Sequence, residues 1–132
     1  MEQAYRKTAT TLSLINYHFV FCPRYRRKVL VEQVEERFKE LVLQLCTEND
    51  WRLIAMEVMP DHVHLFLNVL PTHSPSDIMA RLKGTTSRHL RQEFVHLEHL
   101  TSLWTRSYFA STAGNVSSET IKRYVEEQKT RG

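Results

Sequence analysis

The chain has 132 residues, the length of one domain, and is long enough to bury a core without disulfides or a structural metal. Hydrophobic residues make up 42% and charged residues 25%, with three Gly and four Pro, which excludes a disordered, fibrous or low-complexity chain. The net charge of +3 says little by itself, but the cations cluster: Arg24, Arg26, Arg27 and Lys28 in one stretch, Arg81, Lys83, Arg88 and Arg91 in another.

Thr11 to Cys22 (TLSLINYHFVFC) is rich in β-branched and aromatic residues and predicts a strand. A basic connector, CPRYRRK, follows. From Glu32 to Glu48 the apolar residues Val34, Phe38, Leu41, Val42 and Leu45 recur at helical spacing, and Asn49-Asp50 ends the helix. Trp51 to Met59 and Val63 to Leu70 predict two strands joined as a hairpin through Pro60-Asp61. Ser76-Asp77 is placed to cap a second helix from Ile78 to about Phe94, with Gly84 interrupting its pattern. Leu103 to Thr112 predicts a fourth strand. Gly114-Asn115 is a break, and Ser117 is placed to cap a last helix.

The order β-α-β-β-α-β-α predicts an α+β fold. It is a ferredoxin-like antiparallel sheet with both crossover helices on one face, plus a C-terminal helix. No linker or repeat divides it, so residues 1–132 are expected to form a single domain. Cys22 and Cys46 form no CxxC pair and read as reduced, buried thiols of a cytoplasmic protein. The N-terminal ten residues lack a signal core, and no apolar run approaches the ~20 residues needed to cross a membrane.

His62-Val63-His64 is the sharpest chemical feature. Alternation along a strand puts both imidazoles on one face, about 6.6 to 6.8 Å apart at Cα. Two such rings can occupy two sites of a divalent metal, or can simply be surface histidines. Tyr124 and Gln128, four residues apart, share one face of the last helix. The phenol is a possible nucleophile and the amide oxygen a possible metal donor, although Tyr124 can equally pack beside Ile121 and Val125. That helix carries few apolar residues. It is expected to gain little from packing on its own sheet and to suit a movable or exchanged element.

Together these segments resemble a known family. Met56-Glu57-Val58-Met59-Pro60-Asp61-His62-Val63-His64-Leu65 is similar to the HUH motif of the single-tyrosine transposases of small bacterial insertion sequences, the IS200-like, TnpA-type family. Tyr124-Val125-Glu126-Glu127-Gln128 resembles its catalytic helix, which would span about 117–131 here. Tyr17-His18-Phe19-Val20-Phe21 with Tyr25-Arg26-Arg27 resembles its first strand and connector. Leu82-Lys83-Gly84 with Thr86-Ser87-Arg88 resembles its second long helix.

The resemblance implies a metal-dependent enzyme that cleaves and rejoins single-stranded DNA at insertion-sequence ends. His62, His64 and Gln128 would hold Mg2+ or Mn2+. Tyr124 would attack the phosphodiester and form a 5′-phosphotyrosine. The partners would be hairpin-ended single-stranded DNA and a second copy of the chain, with active sites shared between subunits. An alternative is a hairpin-DNA-binding or palindrome-associated HUH relative without full transposition activity. Arg26, Arg27, Lys83 and Arg88 are the cations expected on DNA phosphates. His18 has no ligand partner by spacing and reads as structural. Trp51 and Trp104 read as core. Glu57, an odd number of residues before His62, falls on the opposite face by strict alternation unless the turn changes that.

Overall fold

The computed structural model describes residues 4–112 and 118–131. The expected Gly114-Asn115 break and Ser117 cap lie outside the described residues. The expected first strand divides. Arg6–Lys7 (β1) pairs with Leu12–Ser13 (β2) in a small ribbon, and Ile15–Phe21 (β3) enters the main sheet. From Leu12 to Phe21 no Gly or Pro marks the division; the change of pairing partner does.

Glu32–Asn49 forms α1, whose Val34, Phe38, Leu41, Val42, Leu45 and Cys46 are buried. Asp50 ends it in the left-handed conformation, with its N–H on the Cys46 carbonyl. Arg52–Met59 (β4) and His62–Val69 (β5) form the expected hairpin, in which Met59 faces His62 across Pro60-Asp61. Pro75–Glu93 forms α2. Its cap is Ser74, two residues earlier than the expected Ser76: the Ser74 hydroxyl accepts from the Asp77 N–H at 3.1 Å, and Pro75 occupies the first turn, where no donor is needed. The helix runs through Gly84 without a break.

The last strand is shorter than expected. Only Phe109–Thr112 (β6) joins the ladder, beside β3. Upstream, Trp104 makes a single bridge to Pro23, which has no N–H to extend a ladder, and the Thr105 N–H reaches the Cys22 carbonyl at 3.0 Å. Ser118–Glu127 forms α3, continued by a 3₁₀ turn over Gln128–Thr130.

The strand order β4-β5-β3-β6 is the antiparallel ferredoxin-like arrangement. Phe19, Phe21, Val63, Leu65, Leu67 and Val69 point to one face and join the buried residues of α1 and α2 in the main core. Trp51 and Trp104 belong to that core, as expected. The alternate positions of β3 and β5 point to the other face, where Val20 and Cys22 pack against Val125 of α3. The sheet therefore has one face on the main core and one face that receives α3.

Candidate active site

Each ring of the HxH pair is fixed through its Nδ1. The Asp61 Oδ1 lies 2.8 Å from His62 Nδ1. A carboxylate only accepts, so His62 Nδ1 donates, and in the neutral ring Nε2 is then the nitrogen that carries the lone pair. His64 Nδ1 lies 3.2 Å from Nε2 of His18. The two rings of the pair meet edge to face, with centroids 5.2 Å apart. Burial, and then the neighbouring His62, lower the pKa of His64, so it is neutral at pH 7 and able to bind a metal.

Asp61 was expected only as a turn residue. Its carboxylate also takes Nε and Nη2 of Arg26 on Oδ2, at 2.8 and 2.5 Å. Burial pushes this carboxyl up, but the hydrogen bonds from His62 and Arg26 outweigh it and hold the pKa below the usual range. Glu57 faces His64 directly across the hairpin, on the same side of the sheet. Strict alternation fails here because the two-residue turn, pairing Met59 with His62, resets the parity between strands.

Tyr124 and Gln128 meet at Ser107, which the sequence did not single out. The Ser107 hydroxyl donates to Gln128 Oε1 at 3.1 Å and lies 3.3 Å from the Tyr124 hydroxyl. Gln128 Nε2 donates to the Tyr124 carbonyl at 3.2 Å, and Gln128 is 2% exposed. Burial raises the pKa of Tyr124, against a smaller opposing effect from its hydrogen bond with Ser107. Ser107 is itself held by Lys83, whose Nζ donates to the carbonyls of Thr105 and Ser107 at 2.8 and 2.6 Å.

Two links join the histidine half to the tyrosine half. Arg26 bridges them electrostatically, with Nη1 on Glu126 of α3 at 3.0 Å. Phe109 bridges them by packing, with ring centroids 6.0 Å from His18 and 6.2 Å from Tyr124. A third clasp ties the Tyr25 N–H to the Arg131 carbonyl at 2.8 Å. Tyr25 and Arg26 both have positive φ, 58° and 52°, a conformation that costs non-glycine residues roughly 1–3 kcal/mol each. The two ion pairs of Arg26 and the Tyr25 clasp oppose that cost. The helix thus docks on its own sheet, contrary to the expectation from its small apolar face. Among the described residues its apolar anchors are Val125 and the half-buried Tyr124, and the polar clasps add to them.

The four cations do not converge. Arg27 and Arg88 are exposed, and the Arg27 guanidinium lies 5.1 Å from the centroid of the exposed Tyr25 ring. Arg26 and Lys83 instead hold protein groups. Among the described residues, no three His, Cys, Asp or Glu side chains form a metal-binding group. A metal on His62 and His64 therefore needs another kind of donor. The Gln128 amide oxygen suits a hard divalent cation, and Nε2 of each histidine supplies the nitrogen donors, so the residues present fit such an ion.

Residues 11–128 match a protein-family model described as IS200-like transposase. The ISDra2 transposase TnpA of Deinococcus radiodurans is 33% identical over 117 residues, covering 86% of this chain and 84% of that protein. The transposase for insertion sequence element IS200 of Salmonella typhimurium is 31% identical over 119 residues, covering 86% and 78%. A crystal structure of a candidate transposase from Deinococcus radiodurans R1 superposes with a TM-score of 0.85 at 34% identity, covering 93% of this chain and 97% of that one. A REP-associated tyrosine transposase bound to a REP hairpin shares the fold, with a TM-score of 0.53 at 16% identity, covering 96% and 67%.

Proposed function

The chain belongs to the IS200-like transposase family, and from that membership we propose that it cleaves and rejoins single-stranded DNA at insertion-sequence ends through Tyr124. The Tyr124 oxygen loses its proton and attacks the phosphorus. The bond from phosphorus to the 3′ oxygen breaks, and that oxygen leaves as a hydroxyl after taking a proton. The 5′ phosphate stays on Tyr124, so the 3′ hydroxyl of another strand can reverse the step without an added energy source.

The observation that carries this reading is the docking of α3 against the sheet face that bears His62 and His64. It is tied there by Arg26, between Asp61 and Glu126. His62, His64 and Gln128 are the residues that would hold Mg2+ or Mn2+. Bound there, the ion would withdraw charge from the scissile phosphate and favour attack by a phenol. Asp61 sets the hydrogen of His62, and Ser107 orients both the amide of Gln128 and the hydroxyl of Tyr124.

The DNA partner in this reading is single-stranded with hairpin ends; the REP-associated transposase that shares the fold is bound to a REP hairpin. Arg27 and Arg88, being exposed, reach phosphates directly, and Tyr25 beside Arg27 offers a stacking surface for a base. Arg26 and Lys83 add positive potential from their structural positions. The enzyme works in the cytoplasm as a homodimer with shared active sites, α3 exchanging its polar clasps for identical ones on the partner. None of the helices in the described residues is long and apolar enough to cross a membrane.

The test is incubation with hairpin-bearing single-stranded element ends and Mg2+ or Mn2+, followed by denaturing electrophoresis. A covalent protein-DNA adduct that maps to Tyr124 is the expected result. Hairpin binding without any adduct would support the alternative of a DNA-binding relative that lacks cleavage.

A further inference from the structure

We propose that His18 is a positioning residue for the metal site: it accepts the Nδ1–H of His64 and so leaves Nε2 of His64 unprotonated for the ion. The inference rests on the reading of His62 and His64 as metal ligands. It starts from strand register. β3 and β5 pair with Val20 opposite His64 and His18 opposite Phe66, so His18 and His64 are diagonal neighbours on one face. Their nitrogens, His18 Nε2 and His64 Nδ1, stand 3.2 Å apart, and one hydrogen lies between them.

That hydrogen has two homes with opposite consequences. On His18, it would leave His64 protonated at Nε2, and His64 would then have no lone pair for a metal, because its Nδ1 already faces His18. On His64, it frees Nε2. Asp61 imposes this second arrangement on His62, since a carboxylate can only accept. With His18 as acceptor, both histidines of the pair present the same nitrogen. This is the outer-shell arrangement that metal-binding histidines commonly show, with a carbonyl or carboxylate in the acceptor role.

His18 is built to hold that orientation. Its ring stacks on Phe66 with centroids 4.1 Å apart and planes 8° from parallel, and the edge of Phe109 closes it at 69°. It is 5% exposed. A buried ring held by packing on two sides makes a fixed acceptor.

The experiment uses the full chain in three forms: wild type, His18→Phe and His18→Gln. Phe keeps the stacking on Phe66 and removes the acceptor. The Gln amide oxygen restores an acceptor near the position of Nε2. Mn2+ affinity is read by electron paramagnetic resonance, and the protonated nitrogen of His64 by 15N NMR of the metal-free protein. The wild type should show His64 protonated at Nδ1. His18→Phe should bind Mn2+ roughly 10–100-fold more weakly, and His18→Gln within about threefold of wild type, a partial rescue expected from the same outer-shell effect.

His64 protonated at Nε2 in wild type would overturn the assignment. So would a folded Phe variant that binds Mn2+ as tightly as wild type. If the Phe variant fails to fold, the wild-type spectrum and the Gln variant still decide. Wild type protonated at Nδ1 but taking up no Mn2+ would overturn the metal-site reading, and with it the role of His18, while leaving the hydrogen bond intact.

Discussion

Arg26 and Asp61 form the ion pair through which α3 and the histidine hairpin are joined. Two guanidinium nitrogens meet one carboxylate oxygen, at 2.8 and 2.5 Å, while the third reaches Glu126 on α3. The other carboxylate oxygen of Asp61 holds His62. Release of the helix and disturbance of the histidine pair are therefore coupled through one side chain. Arg26→Ala should loosen α3, because it removes the ion pair with Glu126 and leaves Asp61 without its guanidinium partner. Cys22 reports this, because its thiol is fully buried beside Val125 and pushed up to about 12. In a Cys46→Ala background, labelling of Cys22 should accelerate severalfold on Arg26→Ala. An unchanged labelling rate would show that Arg26 does not hold the helix.

Tyr124→Phe should abolish the covalent adduct while preserving the fold and hairpin binding. The substitution removes the proposed nucleophilic oxygen and its hydrogen bonds with Ser107 and Thr105, at about 1 kcal/mol each. The ring contact with Phe109 is retained. A denaturing gel and a binding titration on the same preparation check both halves. Adduct formation by the Phe variant would move the nucleophile elsewhere.

Lys83 should show its burial in the pH dependence of stability. Burial holds its pKa down at about 8, whereas an unfolded lysine titrates near 10.4. Between those values the unfolded chain carries the proton and the folded chain does not, so stability contributed at Lys83 rises with pH over that window. Lys83→Met lacks this gain and leaves the carbonyls of Thr105 and Ser107 without their donor, at about 1–3 kcal/mol each. Urea unfolding at pH 7.5 and 9.5 should find the variant less stable at both values, with the wider gap at 9.5. A gap that narrows at 9.5 would contradict the lowered pKa.

Hairpin binding should weaken steeply with salt, since phosphate contacts release counterions. Charge reversal at Arg27 and Arg88 should shrink that salt slope without altering Mn2+ affinity, because both side chains are exposed. Fluorescence anisotropy across a salt series measures the slope. A slope unchanged by the reversals would place the DNA on another surface.

Mixed subunits should test the shared sites. Among the described residues, α3 docks on its own sheet through polar clasps and through Val125 and Tyr124, contacts that an identical partner chain can reproduce. Tyr124→Phe and His64→Ala subunits, each inactive alone, should partly regain cleavage when mixed if helix and histidines come from different chains. Mixtures that exchange subunits and stay inactive would establish sites formed within one chain.

The sequence by itself determined most of the elements and the spacing of the residues proposed to carry chemistry. Periodicity in Glu32 to Glu48, the Pro60-Asp61 turn and the spacing of His62 with His64 and of Tyr124 with Gln128 are local facts, set by the 3.6 and 2.0 residue repeats of helix and strand. What tertiary structure decided is everything that depends on register or on a distant partner. His18 lies 46 residues from His64, and only the antiparallel pairing of β3 with β5 makes them neighbours. Glu57 changed faces because the hairpin sets parity between strands, which alternation along one strand cannot supply. Ser107 gained its place through Lys83, whose ammonium caps two carbonyls in a stretch that local propensity reads as strand. The docking of α3 followed from Arg26, Tyr25 and Ser107, polar groups remote in sequence, and a count of the helix's own apolar residues contains none of them.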